Sequence, residues 1–210
     1  NVVAVVGTLT LDMATADVVT GNAAITGLGT VAGTIDDANV LAFTISGAND
    51  GNVNGTTTFT NFPNLQGGTG DDTFTFAAGG SVTGNVNGGA HATADTINIA
   101  AKAGGNTIDL VAGTISGGFL GSFTAVESFT GDNAADVLVG TNAVTTWTIS
   151  GANTGTLSTG QSFTNIPNLT GGSAEQVGRG RPIGHEHTGV SDFSIGGTAG
   201  HPTLSCKGDD

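Results

Sequence analysis

The chain has 210 residues, 37 of them glycine, with no tyrosine, one tryptophan and a formal net charge of -13 at pH 7. That balance argues against nucleic acid and anionic membrane surfaces as partners, since both need basic patches, and no apolar run approaches the length of a membrane span. A single cysteine, Cys206, rules out an intrachain disulfide.

In chain order, TLTLD (Thr8–Asp12), AFTIS (Ala42–Ser46), DTFTF (Asp72–Phe76), DTINI (Asp95–Ile99), NTIDL (Asn106–Leu110) and DVLV (Asp136–Val139) alternate apolar with small polar residues. Alternation of this kind predicts half-buried strands. Gly, Asn and Asp between the strands supply the left-handed backbone that tight corners need.

Internal repeats organise these strands. FTISGANDGNVNGTTTFTNFPNLQGG (Phe43–Gly68) aligns without a gap to WTISGANTGTLSTGQSFTNIPNLTGG (Trp147–Gly172), with 15 of 26 positions identical at an offset of 104. By this alignment Trp147 takes the place of the core ring Phe43. A weaker copy, Phe123–Gly140, matches Phe59–Phe76 at an offset of 64 and retains Phe123, Thr124, Gly131 and Asp136. LQGG (Leu65–Gly68) returns as VNGG (Val86–Gly89) 21 residues on.

Separations of 64 and 40 residues between Phe59, Phe123 and Phe163 fit three and two units of about 20–21 residues. A repeat so short cannot bury its own apolar face and must stack on its neighbours. The expectation is an all-β chain folded as a right-handed parallel β-helix, a β-solenoid, of about 20–21 residues per coil and roughly eight to ten coils. An antiparallel sandwich would instead want hairpin turns and no coherent register.

After Ala174 the repeat stops in mid-coil. GGTGDDTFTFAAGGSV should return from Gly171, and the chain reads GGSAEQVGRGRPIGHE. Residues 175–210 also hold three of the four basic residues, three of the four histidines and the cysteine. This divides the chain into a repeat domain, 1–174, and an atypical tail, 175–210, which is a cap or a frame-shifted or vector-derived segment. His185, His187, His201 and Cys206 are metal-ligand types, but their spacing matches no strong zinc pattern.

GGTGDDTFT (Gly67–Thr75) resembles the calcium-binding nonapeptide of RTX (repeats-in-toxin) β-rolls. The resemblance implies Asp72 as a side-chain ligand helped by the Gly67–Gly70 carbonyls, and calcium as the cofactor. Calcium takes six to eight oxygens, so a neighbouring loop has to complete the shell; Asp71, Asp72 and Asp95 are the metal candidates. The motif does not run in tandem here, and a corner whose Asp side chains satisfy turn amides is the competing reading.

The run F-T-N-[FI]-P-N-L-x-G-G, with GDDTFTFAAGGSVTGNVNGG and WTISGANTGTLS, resembles the repeats of large adhesin-like, filamentous-haemagglutinin-like surface proteins of Gram-negative bacteria. The resemblance spans Val40 to Gly172. It implies a secreted or cell-surface stalk that is non-enzymatic and structural or adhesive, whose partners are glycans or further copies of the chain, without nucleic acid or membrane insertion.

The alternative is a polysaccharide-degrading β-helix enzyme of the glycoside hydrolase type, which needs two carboxylates flanking the sugar. Asp72, Asp95 and Asp136 are the fallback catalytic residues; the preferred expectation assigns none. His91, in GGAHATAD, reads as an exposed loop residue. A threonine face that orders ice needs T-x-T at a fixed coil position, and TLT, TFT and TTT do not recur at a constant 20-residue spacing.

Overall fold

The computed structural model describes residues 40–173 apart from Thr56, together with the strands Val2–Val5, Ala24–Gly27, Gln176–Gly180 and Asp192–Ile195. The expected strand at Thr8–Asp12 and the tail residues His185, His187, His201 and Cys206 lie outside the described residues. Among the described residues there are twenty strands and no helix, arranged in sheets of thirteen, four and three strands. The fold is therefore all-β, as the alternation predicts, and most strand pairs are parallel.

Inward positions line up strand by strand. In the large sheet Phe43 stands opposite Phe74, Phe74 opposite Ile97, Ile97 opposite Phe129 and Phe129 opposite Phe163. In the four-stranded sheet the row is Ile108, Leu138 and Leu169. In the three-stranded sheet it is Leu65, Val86 and Phe123. All three rows meet in one buried hydrophobic cluster, and each fully buried side chain of this size contributes about 1.5–3 kcal/mol. Phe43 and Phe74 stack with centroids 4.6 Å apart and planes 10° off parallel. That geometry follows from parallel, in-register neighbours.

Alternation then sends the flanking residues outward. One outward row runs Thr44, Thr75, Asn98, Thr130, Thr164; the other runs Ala42, Thr73, Thr96, Ser128, Ser162. The small polar positions thus share a register although their distances along the chain differ.

The uniform 20–21-residue unit does not hold. Leu65 and Val86 pair at 21 residues and Phe74 and Ile97 at 23, but Phe43 to Phe74, Ile97 to Phe129 and Phe129 to Phe163 take 31, 32 and 34. The longer intervals each contain an antiparallel excursion. Strands Ala42–Gly47, Asp50–Val53 and Thr57–Thr60 form a meander, as do Thr145–Gly151, Thr154–Leu157 and Ser162–Thr164, and Ile108 pairs antiparallel with Ile115. Hairpin turns, expected only of a sandwich, are here inserted between parallel neighbours.

The 104-residue repeat is reproduced in backbone detail. Asn49 and Asn153 turn their hairpins at φ +58° and +54°, and each first strand carries an irregularity at the same point, Ile45/Gly47 and Ile149/Gly151. Asparagine suits this left-handed conformation because its short polar side chain bonds locally.

The third copy is only partly equivalent. Asn61, Ala125 and Asn165 all turn left-handed after a Phe-Thr pair, at φ +62°, +48° and +57°. Phe123, however, lies in the three-stranded sheet opposite Val86, and it is Phe129 that faces Phe163. Ala125 bears the strain of a Cβ at positive φ without asparagine's compensation. Ala125→Gly should therefore raise unfolding free energy by about 1 kcal/mol in urea titrations; an unchanged midpoint would show the corner to be relaxed.

Candidate functional site

The glycine–aspartate motif has a packing cause. Asp72, Asp95 and Asp136 are all fully buried, each just ahead of a strand. Each carboxylate lies against a glycine: Asp72 on Gly67, Asp95 on Gly88, Asp136 on Gly131. A Cβ added to Gly88 or Gly131 would fall 2.5 Å from the carboxylate oxygen, and one on Gly67 would fall closer. The second glycine of each doublet serves another purpose: Gly68 and Gly89 adopt φ +100° and +101°, where side chains are strongly disfavoured.

These carboxylates hold the main chain of the preceding layer. Leu41 N–H donates to Asp72 Oδ1 (2.5 Å), Asp72 N–H to Asp95 Oδ1 (2.7 Å) and Asp95 N–H to Glu127 Oε2 (3.1 Å). Asp136 takes the N–H of Asn106 (2.8 Å), its Nδ2 (3.0 Å) and the N–H of Asp132 (2.8 Å). Buried amides ahead of a ladder need such partners. Asp71 accepts from the N–H groups of Thr93, Ala92 and Ala94 at 2.7, 2.8 and 3.3 Å. Those bonds, led by that of Thr93, hold its carboxyl below the usual range.

Asp71, Asp72 and Asp95 therefore serve amides of the neighbouring strand or loop, and the Gly68 carbonyl accepts from Ala90 N–H (2.8 Å). Asp95 alone of the three joins a cluster of metal-ligand type. Among the described residues, His91, Asp95 and Glu127 bring one ligand atom each within 4.8 Å of one another. His91 Nδ1 lies 3.0 Å from Glu127 Oε2 and 3.5 Å from Asp95 Oδ2. Burial pushes the Asp95 carboxyl up, opposed by the Asp72 N–H and by His91.

Sequence reasoning read His91 as an exposed loop residue, which it is, and gave neither it nor Glu127 a site role. They are 36 residues apart, and they meet because Ser128 pairs with Thr96, which sets Glu127 beside Asp95. Only that register, in which 32 residues separate neighbours, could have revealed the pair.

Two further features stand out among the described residues. Lys102 is buried, its Nζ donating to the carbonyls of Ala78 (3.1 Å) and Gly80 and lying 4.5 Å from the Phe119 ring centroid. Burial pulls its pKa down. A half-open cleft of about 410 Å³ runs between Leu110–Gly113 and Phe123–Glu127, reaching Thr141 and Gln161. Asp72, Asp95 and Asp136 do not line this cleft. No protein-family model, curated protein or solved structure matches this chain.

Proposed function

We propose that the chain is a segment of a right-handed parallel β-helix that serves as a structural or adhesive stalk of a secreted bacterial surface protein. The observation that carries this reading is one buried apolar residue at the same register in five successive strands, with residues outward on both sides that all carry a hydroxyl or amide except Ala42. Parallel neighbours joined by crossovers turn right-handed in nearly all proteins. A column of this kind is stiff along its axis, because each layer is bonded to the next by main-chain ladders and by buried carboxylates. The outward rows offer hydroxyls to glycans or to another copy of the chain.

Thr75→Lys and Thr130→Lys place charge in the middle of one outward row without touching the core. Wild-type protein is expected to bind immobilised glycans or to form rods in negative-stain images, and the double variant to lose that behaviour. Wild type that binds no glycan and stays monomeric at high concentration would remove the stalk reading.

A second reading rests on the same rows. Thr73-x-Thr75, Thr96-x-Asn98, Ser128-x-Thr130 and Ser162-x-Thr164 lie side by side, so polar pairs do recur at a fixed position once register replaces chain distance. Such an array could order water at an ice surface. Inhibition of ice recrystallisation by wild type, abolished in the Thr75→Lys/Thr130→Lys variant, would favour it; no inhibition would remove it.

A further inference from the structure

We propose that His91, Asp95 and Glu127 form a binding site for one divalent transition-metal ion of the zinc class, joining two successive layers of the fold. His91 and Asp95 precede the strand Thr96–Asn98, and Glu127 precedes the strand Ser128–Thr130 that pairs with it.

The distances suit a shared ion. Two ligands about 2.0–2.2 Å from a metal and separated by roughly 90–110° lie about 3–3.5 Å from each other. His91 Nδ1 is 3.0 Å from one carboxylate oxygen and 3.5 Å from the other.

The polar bookkeeping points the same way independently. Asp95 is fully buried, and its Oδ2 forms no hydrogen bond of good geometry, with His91 Nδ1 facing it at 3.5 Å. A buried carboxylate oxygen left in that condition is costly, and a cation at this point would satisfy it.

The supporting contacts are already in place. Asp95 Oδ1 accepts Asp72 N–H and Glu127 Oε2 accepts Asp95 N–H, so both carboxylates are oriented before any ion arrives. Bonds of this kind tune metal affinity. His91, with 30% of its side chain exposed, leaves an open side for solvent and for ion access.

The ligand set selects the ion class. One imidazole nitrogen with two carboxylates suits zinc and its first-row neighbours, whereas calcium needs six to eight oxygens. The site differs from the calcium loop expected at Asp71, Asp72 and Asp95, sharing only Asp95.

The test uses the full chain, stripped with a chelator and then titrated with Zn2+. Thermal unfolding is followed by Trp147, the one tryptophan. Zinc should raise the melting temperature, because an ion held only by the folded state must stabilise it. His91→Ala and Glu127→Gln should each weaken zinc affinity at least about tenfold and abolish the rise. Glu127→Gln keeps an oxygen for Asp95 N–H, so it tests the ligand without removing that bond. Zinc held by tail histidines would still raise the melting temperature of both variants, so a rise equal to that of wild type in His91→Ala and Glu127→Gln overturns the assignment. An unchanged wild-type melting temperature overturns it too, leaving only a histidine–carboxylate ion pair. An equal rise with Ca2+ in place of Zn2+ would overturn the choice of ion class.

Discussion

Gly88→Ala is expected to destabilise the chain by about 3 kcal/mol, as read from urea unfolding followed by far-UV circular dichroism. The new methyl would collide with the Ala125 carbonyl and lie 2.5 Å from the buried Asp95 oxygen. Neither neighbour can move cheaply. Ala125 O belongs to the next layer's main chain, and Gly88 N–H is bonded beside it to Thr124 O at 3.0 Å. Gly118→Ala is the control. Gly118 has φ +70° with nothing near its missing side chain, so only the backbone preference is lost, about 1 kcal/mol. Equal losses for the two substitutions would show that conformation rather than space explains the doublet's first glycine.

Trp147→Ala should cost about 3–5 kcal/mol, the range for deleting a large aromatic ring from a core. Trp147 is fully buried, stands opposite Leu157 and meets the edge of Phe163 with centroids 6.1 Å apart. Trp147→Phe should cost only about 1–2 kcal/mol, because the same position in the first copy holds Phe43 in an equivalent hairpin. The bound is set by Gly140, which is shaped to the indole: a Cβ there would lie 2.6 Å from Trp147 Cζ2. Phenylalanine leaves part of that space empty. If Trp147→Phe proves as damaging as Trp147→Ala, the two copies are not interchangeable at their core.

Strand existence and facing are legible in the sequence. TFTF and TINI alternate cleanly, and Phe74, Phe76 and Ile97 are fully buried as that pattern requires. The 104-residue repeat is legible as well, down to the asparagines that turn left-handed. Coil length is not. Runs such as DGNV and TGTL carry too little apolar periodicity to announce the middle strand of a meander, yet each adds a hairpin to the path between parallel neighbours.

The same difficulty hid the metal cluster. Asp95 could be named from its corner motif, whereas Glu127 becomes its neighbour only through a 32-residue register. The RTX-like match picked out a real corner whose residues have a structural use. Its glycines provide space and positive φ, and its aspartates bind amides.

The glycine–carboxylate contact also has an evolutionary direction. An aspartate arising opposite any larger residue than glycine would meet a methyl where its oxygen must lie, so the pair can be assembled by single substitutions in one order: glycine first. It must decay in the reverse order. Diverging copies of this corner should therefore include glycine without aspartate, and never aspartate without glycine. At the 104-residue offset Gly171 stands where Gly67 does, while the place of Asp72 falls to Gln176, inside the tail where the repeat is lost.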